Sequence, residues 1–267
     1  MRRRPFNLPI RLVSACLIII LGISLAFVYS FKLLKGLDYF RIKEITIKEQ
    51  DLPNQDIKTN DFSSLKGKSM FDINLNYAAG VFLEAYPNYS RVRLIRVFPD
   101  RLFVYFLKRK PIALVKLYKY FGLDEEGALF SLNTAELELP DLPYVIGLEK
   151  KIFAPTAGKR YNLKEITLAI NIIKEFKDNK ALREYRIKKI DVSSLSEAAI
   201  YLSLPEVLEP AKEGLILQEV RLGQSNIRAK LMILSGLITQ LEDELAKIKY
   251  IDLRFKDPVI KYKDKDV

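Results

Sequence analysis

A chain of 267 residues without one histidine lacks the side chain that most often serves as general base, proton shuttle or metal ligand near neutral pH. Its one cysteine, Cys16, sits in an uncharged apolar run, so thiol nucleophiles, thiolate metal sites and disulfides are absent from the rest of the chain. The chemistry left is a Ser/Lys dyad or a carboxylate pair, and no spacing nominates either. Gly67-Lys68-Ser69 copies the end of a phosphate-binding loop, but the glycine required five positions earlier is Phe62 and no apolar strand leads in, so the match carries no phosphate site. No catalytic residue, cofactor or metal ion is expected. In Tyr250 to Phe255 a two-residue period puts Ile251, Leu253 and Phe255 on one face and Asp252 and Arg254 on the other. The plain reading is a half-buried strand with a surface ion pair worth less than about 1 kcal/mol.

The longest uncharged stretch decides where these residues work. Leu12 to Phe31 holds no charged side chain, and twenty helical residues span roughly 30 Å, the thickness of a bilayer's hydrocarbon core. Arg2, Arg3, Arg4 and Arg11 crowd the preceding tail with no acidic residue, which predicts a cytoplasmic N terminus and a translocated bulk. A cleaved signal peptide fits less well: the run is longer than its usual apolar core, and Ala26-Phe27-Val28-Tyr29 offers no small-residue cleavage pattern. Val13-Ser14-Ala15-Cys16 imitates a lipoprotein box, yet the apolar segment comes after the cysteine instead of before it. Gly22 and Ala26 have small-xxx-small spacing, a weak hint of helix pairing. Removing the four tail arginines from 44 basic groups leaves 40 against 33 acidic ones, a net +7. These charges are interspersed, with no basic stripe and no nucleic-acid signature.

Beyond the helix, alternation around Phe40, Ile42, Ile45 and Ile47 predicts a strand ended by Asp51-Leu52-Pro53-Asn54. A polar segment to Leu65, a turn at Gly67, and Asn74 to Tyr86 with Leu75, Ala78, Ala79, Phe82 and Leu83 on one face read as two short helices. Two strands come next, around Val92 to Val97 and Leu102 to Leu107, joined by Phe98-Pro99-Asp100-Arg101. Further on, Asn162 and Glu165 have capping-box spacing before the apolar face Ile166, Ala169, Ile170, Ile173 and Phe176. Strands are expected over Tyr185 to Val192, Ala199 to Leu204 and Gly214 to Leu222. Ser225 or Asn226 begins a helix with Ile227, Leu231, Leu234, Ile238, Leu241 and Leu245 on one side. That face suits packing on a sheet better than a coiled-coil seam, being short of sustained heptads.

The β-α-α-β-β order directly after an anchor resembles a POTRA domain. Tyr86-Pro87, Phe98-Pro99-Asp100-Arg101-Leu102 and Arg109-Lys110-Pro111-Ile112-Ala113 are similar to landmarks of the bacterial FtsQ/DivIB-type division proteins. So are Asp124-Glu125-Glu126-Gly127, Leu142-Pro143-Tyr144-Val145-Ile146-Gly147 and Ile251-Asp252-Leu253-Arg254-Phe255. Lys108 stands where that family usually has Glu, and Pro258 where it often has Gly. The resemblance implies an α+β protein: a tail (1–11), a transmembrane helix (12–31), a POTRA domain (39–112), a mixed α/β domain with a largely antiparallel sheet (113–262) and a C-terminal tail (263–267). It implies structural roles for Pro99, Arg109, Pro111, Ala113, Asp124, Gly127, Asp252 and Arg254. It also implies a non-catalytic divisome scaffold in the cell (inner) membrane at the septum, recruiting and regulating septal peptidoglycan synthesis. Its partners would be FtsB/FtsL-type (DivIC-type) proteins, bound by strand addition at Phe255, Asp257, Val259, Ile260 and Tyr262. Two other classes remain open: a POTRA-type chaperone or secretion component, though no β-barrel pattern comes after the POTRA region, and a membrane-anchored extracytoplasmic hydrolase.

Overall fold

The computed structural model describes residues 10–49, 57, 59–132, 142–203 and 218–263. The Asp51 to Asn54 turn, the start of the strand predicted from Gly214, most of the N-terminal tail and residues 264–267 lie outside the described residues. Helix α1, Ile10–Gly36, contains the one span among the described residues long and apolar enough to cross a membrane, Val13–Gly36, and none of it is buried in protein. The chain beyond α1 is α+β, as expected. The whole chain, α1 included, divides into two compact units, Met1–Ala85 with Arg91–Lys108, and Tyr86–Ser90 with Arg109–Val267.

In the first unit, β1 (Glu44–Glu49) runs parallel to β3 (Arg101–Lys108) from Glu44↔Arg101 to Glu49↔Phe106, and β3 lies between β1 and β2 (Tyr89–Val97). Helix α2, Leu75–Ala85, begins where the Asn74 carboxamide oxygen accepts a hydrogen bond from Tyr77 N at 3.1 Å, satisfying one donor that a helix start leaves unpaired. Its Ala78 and Phe82 are buried. Phe62, the residue that spoils the phosphate-loop match, is wholly buried against the rings of Phe82 and Phe106.

The second unit is a nine-stranded sheet ordered β12-β11-β10-β9-β8-β7-β4-β5-β6. The strands are β4 (Ala113–Lys116), β5 (Tyr120–Leu123), β6 (Leu129–Ser131), β7 (Tyr144–Ile146), β8 (Arg186–Asp191), β9 (Ala199–Ser203), β10 (Gln218–Arg221), β11 (Ile248–Asp252) and β12 (Val259–Tyr262). Antiparallel pairs outnumber parallel ones, which are β4/β7, β7/β8 and β10/β11. Register sorts the side chains into two rows, because neighbouring residues along a strand face opposite ways. Val115, Val145, Ile190, Ile200, Val220, Ile251 and Ile260 line up across seven strands. They join one hydrophobic cluster with helices α3 (Lys164–Asp178) and α4 (Ile227–Gln240). The opposite row is Leu114, Tyr144, Lys189, Tyr201, Glu219, Tyr250 and Lys261.

One helix start and one helix end differ from expectation, while α4 starts after Asn226 as expected. Helix α3 begins at Lys164 after Leu163, with no side-chain cap. Glu165 is buried and bonded to Lys151 Nζ at 2.6 Å, so the carboxylate that would complete the capping box is engaged elsewhere. Asn226 precedes α4 in a left-handed conformation (φ 53°), again without a cap bond. Helix α4 stops at Gln240, and Leu245 reaches the same core from a separate 3-10 turn, Glu242–Lys247. The face from Ile227 onward does pack on the sheet.

Candidate functional site: the C-terminal sheet border

Strand β12 occupies one end of the nine-strand order. It pairs antiparallel with β11, Asp252↔Val259, Ile251↔Ile260 and Tyr250↔Lys261, with an irregularity in β11 before Ile248↔Tyr262. Lys263 N donates to Lys247 O at 2.8 Å, which fixes the phase: alternate residues of an antiparallel strand direct their N–H to opposite sides. The N–H groups of Lys261 and Val259 therefore point toward β11, and those of Ile260 and Tyr262 point off the sheet.

Side chains sort likewise. Val259 and Tyr262 are 47% and 44% exposed, and Phe255 in the preceding turn is 63% exposed. Asp257 is also exposed. Ile260 is partly buried against the core, so of the five predicted contact residues it offers the least side chain to a partner. The Tyr262 hydroxyl donates to Glu244 Oε2 at 2.9 Å, and this bond raises its pKa.

The turn that aims β12 is built around Asp252. This carboxylate is 4% exposed, not part of a surface pair. It accepts from Arg254 Nη2 at 2.7 Å, from Arg254 Nε at 3.0 and 3.2 Å, and from Arg254 N at 3.0 Å. A carboxylate that takes both the guanidinium and the backbone N–H two residues on closes a local turn. Burial pushes the Asp252 carboxyl up, but the bonds from Arg254 outweigh it and hold the pKa below the usual value. Strand β11 ends at Asp252, so the two-residue alternation read through Arg254 fails: the arginine folds back onto the aspartate because the chain turns there.

Neighbouring groups support the border from β10 and α4. Arg221 Nε donates to Glu219 Oε1 at 2.6 Å, and its guanidinium lies 4.1 Å from the centre of the Tyr250 ring. On the same row Lys189 Nζ stands 3.7 Å over Tyr201, whose pKa is raised by burial and by Glu219. Lys230 Nζ, on α4, donates to Leu222 O at 2.5 Å, and burial lowers its pKa. These residues are not singled out by sequence. Glu219 and Arg221 have the two-residue spacing of a strand face, but their partners become visible only once β10 is paired with β11.

Arg109, Asp124 and Gly127 form a second constellation inside the same unit. Arg109 is 5% exposed and Asp124 5%. The Arg109 guanidinium bonds Asp124 Oδ2 through Nη1, Pro87 O through Nε at 3.1 Å and Gly158 O through Nη2 at 3.4 Å. Asp124 Oδ1 accepts from Glu126 N at 3.0 Å and Ala128 N at 2.8 Å, over a turn whose Gly127 has φ +79°, the left-handed region that glycine adopts freely. The arginine is thus paired by the hairpin fifteen positions on. Ala113 opens β4 fully buried, two residues after Pro111, and Pro99 lies in the turn between β2 and β3. Among the described residues no group of three His, Cys, Asp or Glu side chains could hold a metal ion.

No family model matches the chain. Pairwise similarity does extend along most of it. Cell division protein FtsQ of Geotalea daltonii is 27% identical over 233 residues, 86% of this chain and 78% of that protein. Cell division protein FtsQ of Syntrophotalea carbinolica is 23% identical over 228 residues, 84% and 74% of the two chains. That of an Anaeromyxobacter species is 28% identical over 180 residues, 66% and 56%. The chain is therefore distantly and consistently similar, over most of its length, to cell division protein FtsQ.

Proposed function

We propose that this protein is a non-catalytic, single-pass membrane scaffold of the cell-division machinery. Its N terminus is cytoplasmic, the chain beyond α1 is extracytoplasmic, and the part of the first unit beyond α1 is a POTRA-type domain. It captures an extended segment of an FtsB/FtsL-type partner at β12 and holds that partner where septal peptidoglycan is made. One observation carries the reading: β12 ends the sheet order with two N–H groups directed outward, beside the exposed Val259, Tyr262 and Phe255. An unpaired strand border offers main-chain hydrogen bonds to another chain, and flanking side chains select it. The distant FtsQ relatives supply the division context.

The test is affinity of the full chain for the FtsB-type partner encoded in the same cell. Ile260→Pro removes an outward donor and is expected to weaken binding roughly 2- to 10-fold for that bond alone, more if the proline ring also obstructs the added strand. Ile260→Ala, which keeps the N–H, should bind more tightly than the proline variant. Lys261→Pro instead breaks the β11/β12 ladder and should lower thermal stability as well. Equal affinity of Ile260→Pro and Ile260→Ala would defeat strand addition at this border.

A further inference from the structure

An aromatic cluster stands at the foot of α1, in the first unit. Phe31 is the last uncharged residue before Lys32. Its ring centre lies 5.8 Å from that of Phe71, which lies 5.3 Å from Phe40 and 5.7 Å from Phe98, and Tyr39 packs on Phe40 at 5.2 Å. The loops that carry these rings are tied together by main-chain and arginine bonds. Met70 N donates to Phe40 O at 2.9 Å and Ile42 N to Lys68 O at 3.0 Å. Arg96 donates to Met70 O and Ile73 O, both at 2.7 Å, bracketing Phe71. Lys35, in the last turn of α1, is bonded to Asp72 at 2.7 Å. The rings therefore hold a set position against the helix. Yet Phe98 and Tyr39 remain 53% and 62% exposed.

We propose that this cluster is a membrane-seating collar: the exposed faces of Phe98 and Tyr39 lie in the headgroup layer of the bilayer that α1 crosses. The inference rests on α1 being a membrane span and is independent of partner capture at β12. Helix α1 has 27 residues, about 40 Å, and so outruns a hydrocarbon core of roughly 30 Å. The interfacial layer beyond that core is roughly 5–7 Å deep on each side. Ring-centre steps of 5.8 and 5.7 Å lead from Phe31 through Phe71 to Phe98, so Phe71 falls within that layer and Phe98 lies at most about one ring beyond it. Tyrosine collects at this depth because its apolar ring leaves water there while its hydroxyl stays wet, and the exposed Phe98 ring would bury apolar area beside it. Lys32, Lys68 and Arg101, exposed in the same segments, suit anionic headgroups. The first unit is then seated on the lipid surface by its own side chains as well as tethered by its helix.

The chain contains no tryptophan, so a single introduced one reports its own surroundings. Full-length Phe98→Trp and, separately, Tyr39→Trp chains are reconstituted in phosphatidylcholine/phosphatidylglycerol vesicles, with and without acyl chains brominated next to the headgroup. A Tyr29→Trp chain, altered within α1, marks the span itself. Blue-shifted emission that is lost in brominated vesicles and protected from iodide in the Phe98→Trp and Tyr39→Trp chains supports the collar. If the Tyr29→Trp chain is quenched by the brominated lipid while the other two respond only to iodide, the span stands and the collar is overturned. If none of the three is quenched by lipid, both the span and the collar fall.

Discussion

Asp124→Asn isolates the charge of the Arg109 constellation. The substitution keeps an acceptor for Glu126 N and Ala128 N but leaves Arg109, with a side chain 4% exposed, without its counter-ion. Removing one partner of a buried ion pair costs about 3–5 kcal/mol, because the remaining charge stays out of water without compensation. In a domain of this size class each kcal/mol lowers the melting temperature by roughly 2–4 °C, so the second unit should melt roughly 6–20 °C lower. Circular dichroism of the full chain in detergent at neutral pH reads this directly. Glu126→Gln serves as comparison: its pair with Arg160 is exposed on both sides, 42% and 56%, and should contribute less than about 1 kcal/mol. An Arg109→Met/Asp124→Asn double variant should recover much of the loss, since both charges leave together while the acceptor for Glu126 N and Ala128 N stays. If Asp124→Asn shifts the transition no more than Glu126→Gln does, Arg109 and Asp124 do not brace the hairpin as a buried pair.

Acid should weaken the second unit through two carboxyls. Asp252 is held below its ordinary value despite burial, by Arg254, and Glu165 is held below its own, chiefly by Lys151. A depressed folded-state pKa gives stability that is complete above the ordinary value and lost as pH falls through the folded one. Urea midpoints should therefore decline below about pH 4.5, and Asp252→Asn or Glu165→Gln should flatten that decline; an unchanged slope in both would contradict it. Gly147→Ala should destabilise the second unit by more than about 1–3 kcal/mol of backbone strain, read from the urea midpoint: Gly147 has φ +93°, and an added Cβ would lie 2.3 Å from Ser193 N. A midpoint equal to that of the unmodified chain would show that the loop can move aside.

Periodicity was enough to place β1 to β3 and β8 to β11, but not β4, whose Ala113, Leu114 and Val115 are all buried, or the three-residue β7, which stood out only as parts of family landmarks. The apolar faces of α2 and α3 were equally plain, since Phe82 and Ile166 recur at helical spacing with their buried neighbours. Most of the features that stayed hidden depend on pairings between distant segments, and one on a local turn. Asn162 and Glu165 look like a cap until Lys151, fourteen positions before Glu165, claims the carboxylate. Asp252 and Arg254 look like two exposed groups of one strand until the chain turns and buries the aspartate. Arg109 was legible as a landmark, but its acceptors at residues 87, 124 and 158 share no local pattern. The outward N–H groups of Ile260 and Tyr262 likewise need the Lys263–Lys247 bond to set their phase.

Strand β12 comes after every other described element, and β11, its one neighbour among the described strands, joins the sheet parallel to β10 only after α4 has carried the chain across. During synthesis the anchor is thus in place long before the border exists. A nascent or prematurely terminated chain would be membrane-bound yet present β11, with its charged turn, where β12 should be. On the proposed capture at β12, competence to hold a companion arrives only with this last strand.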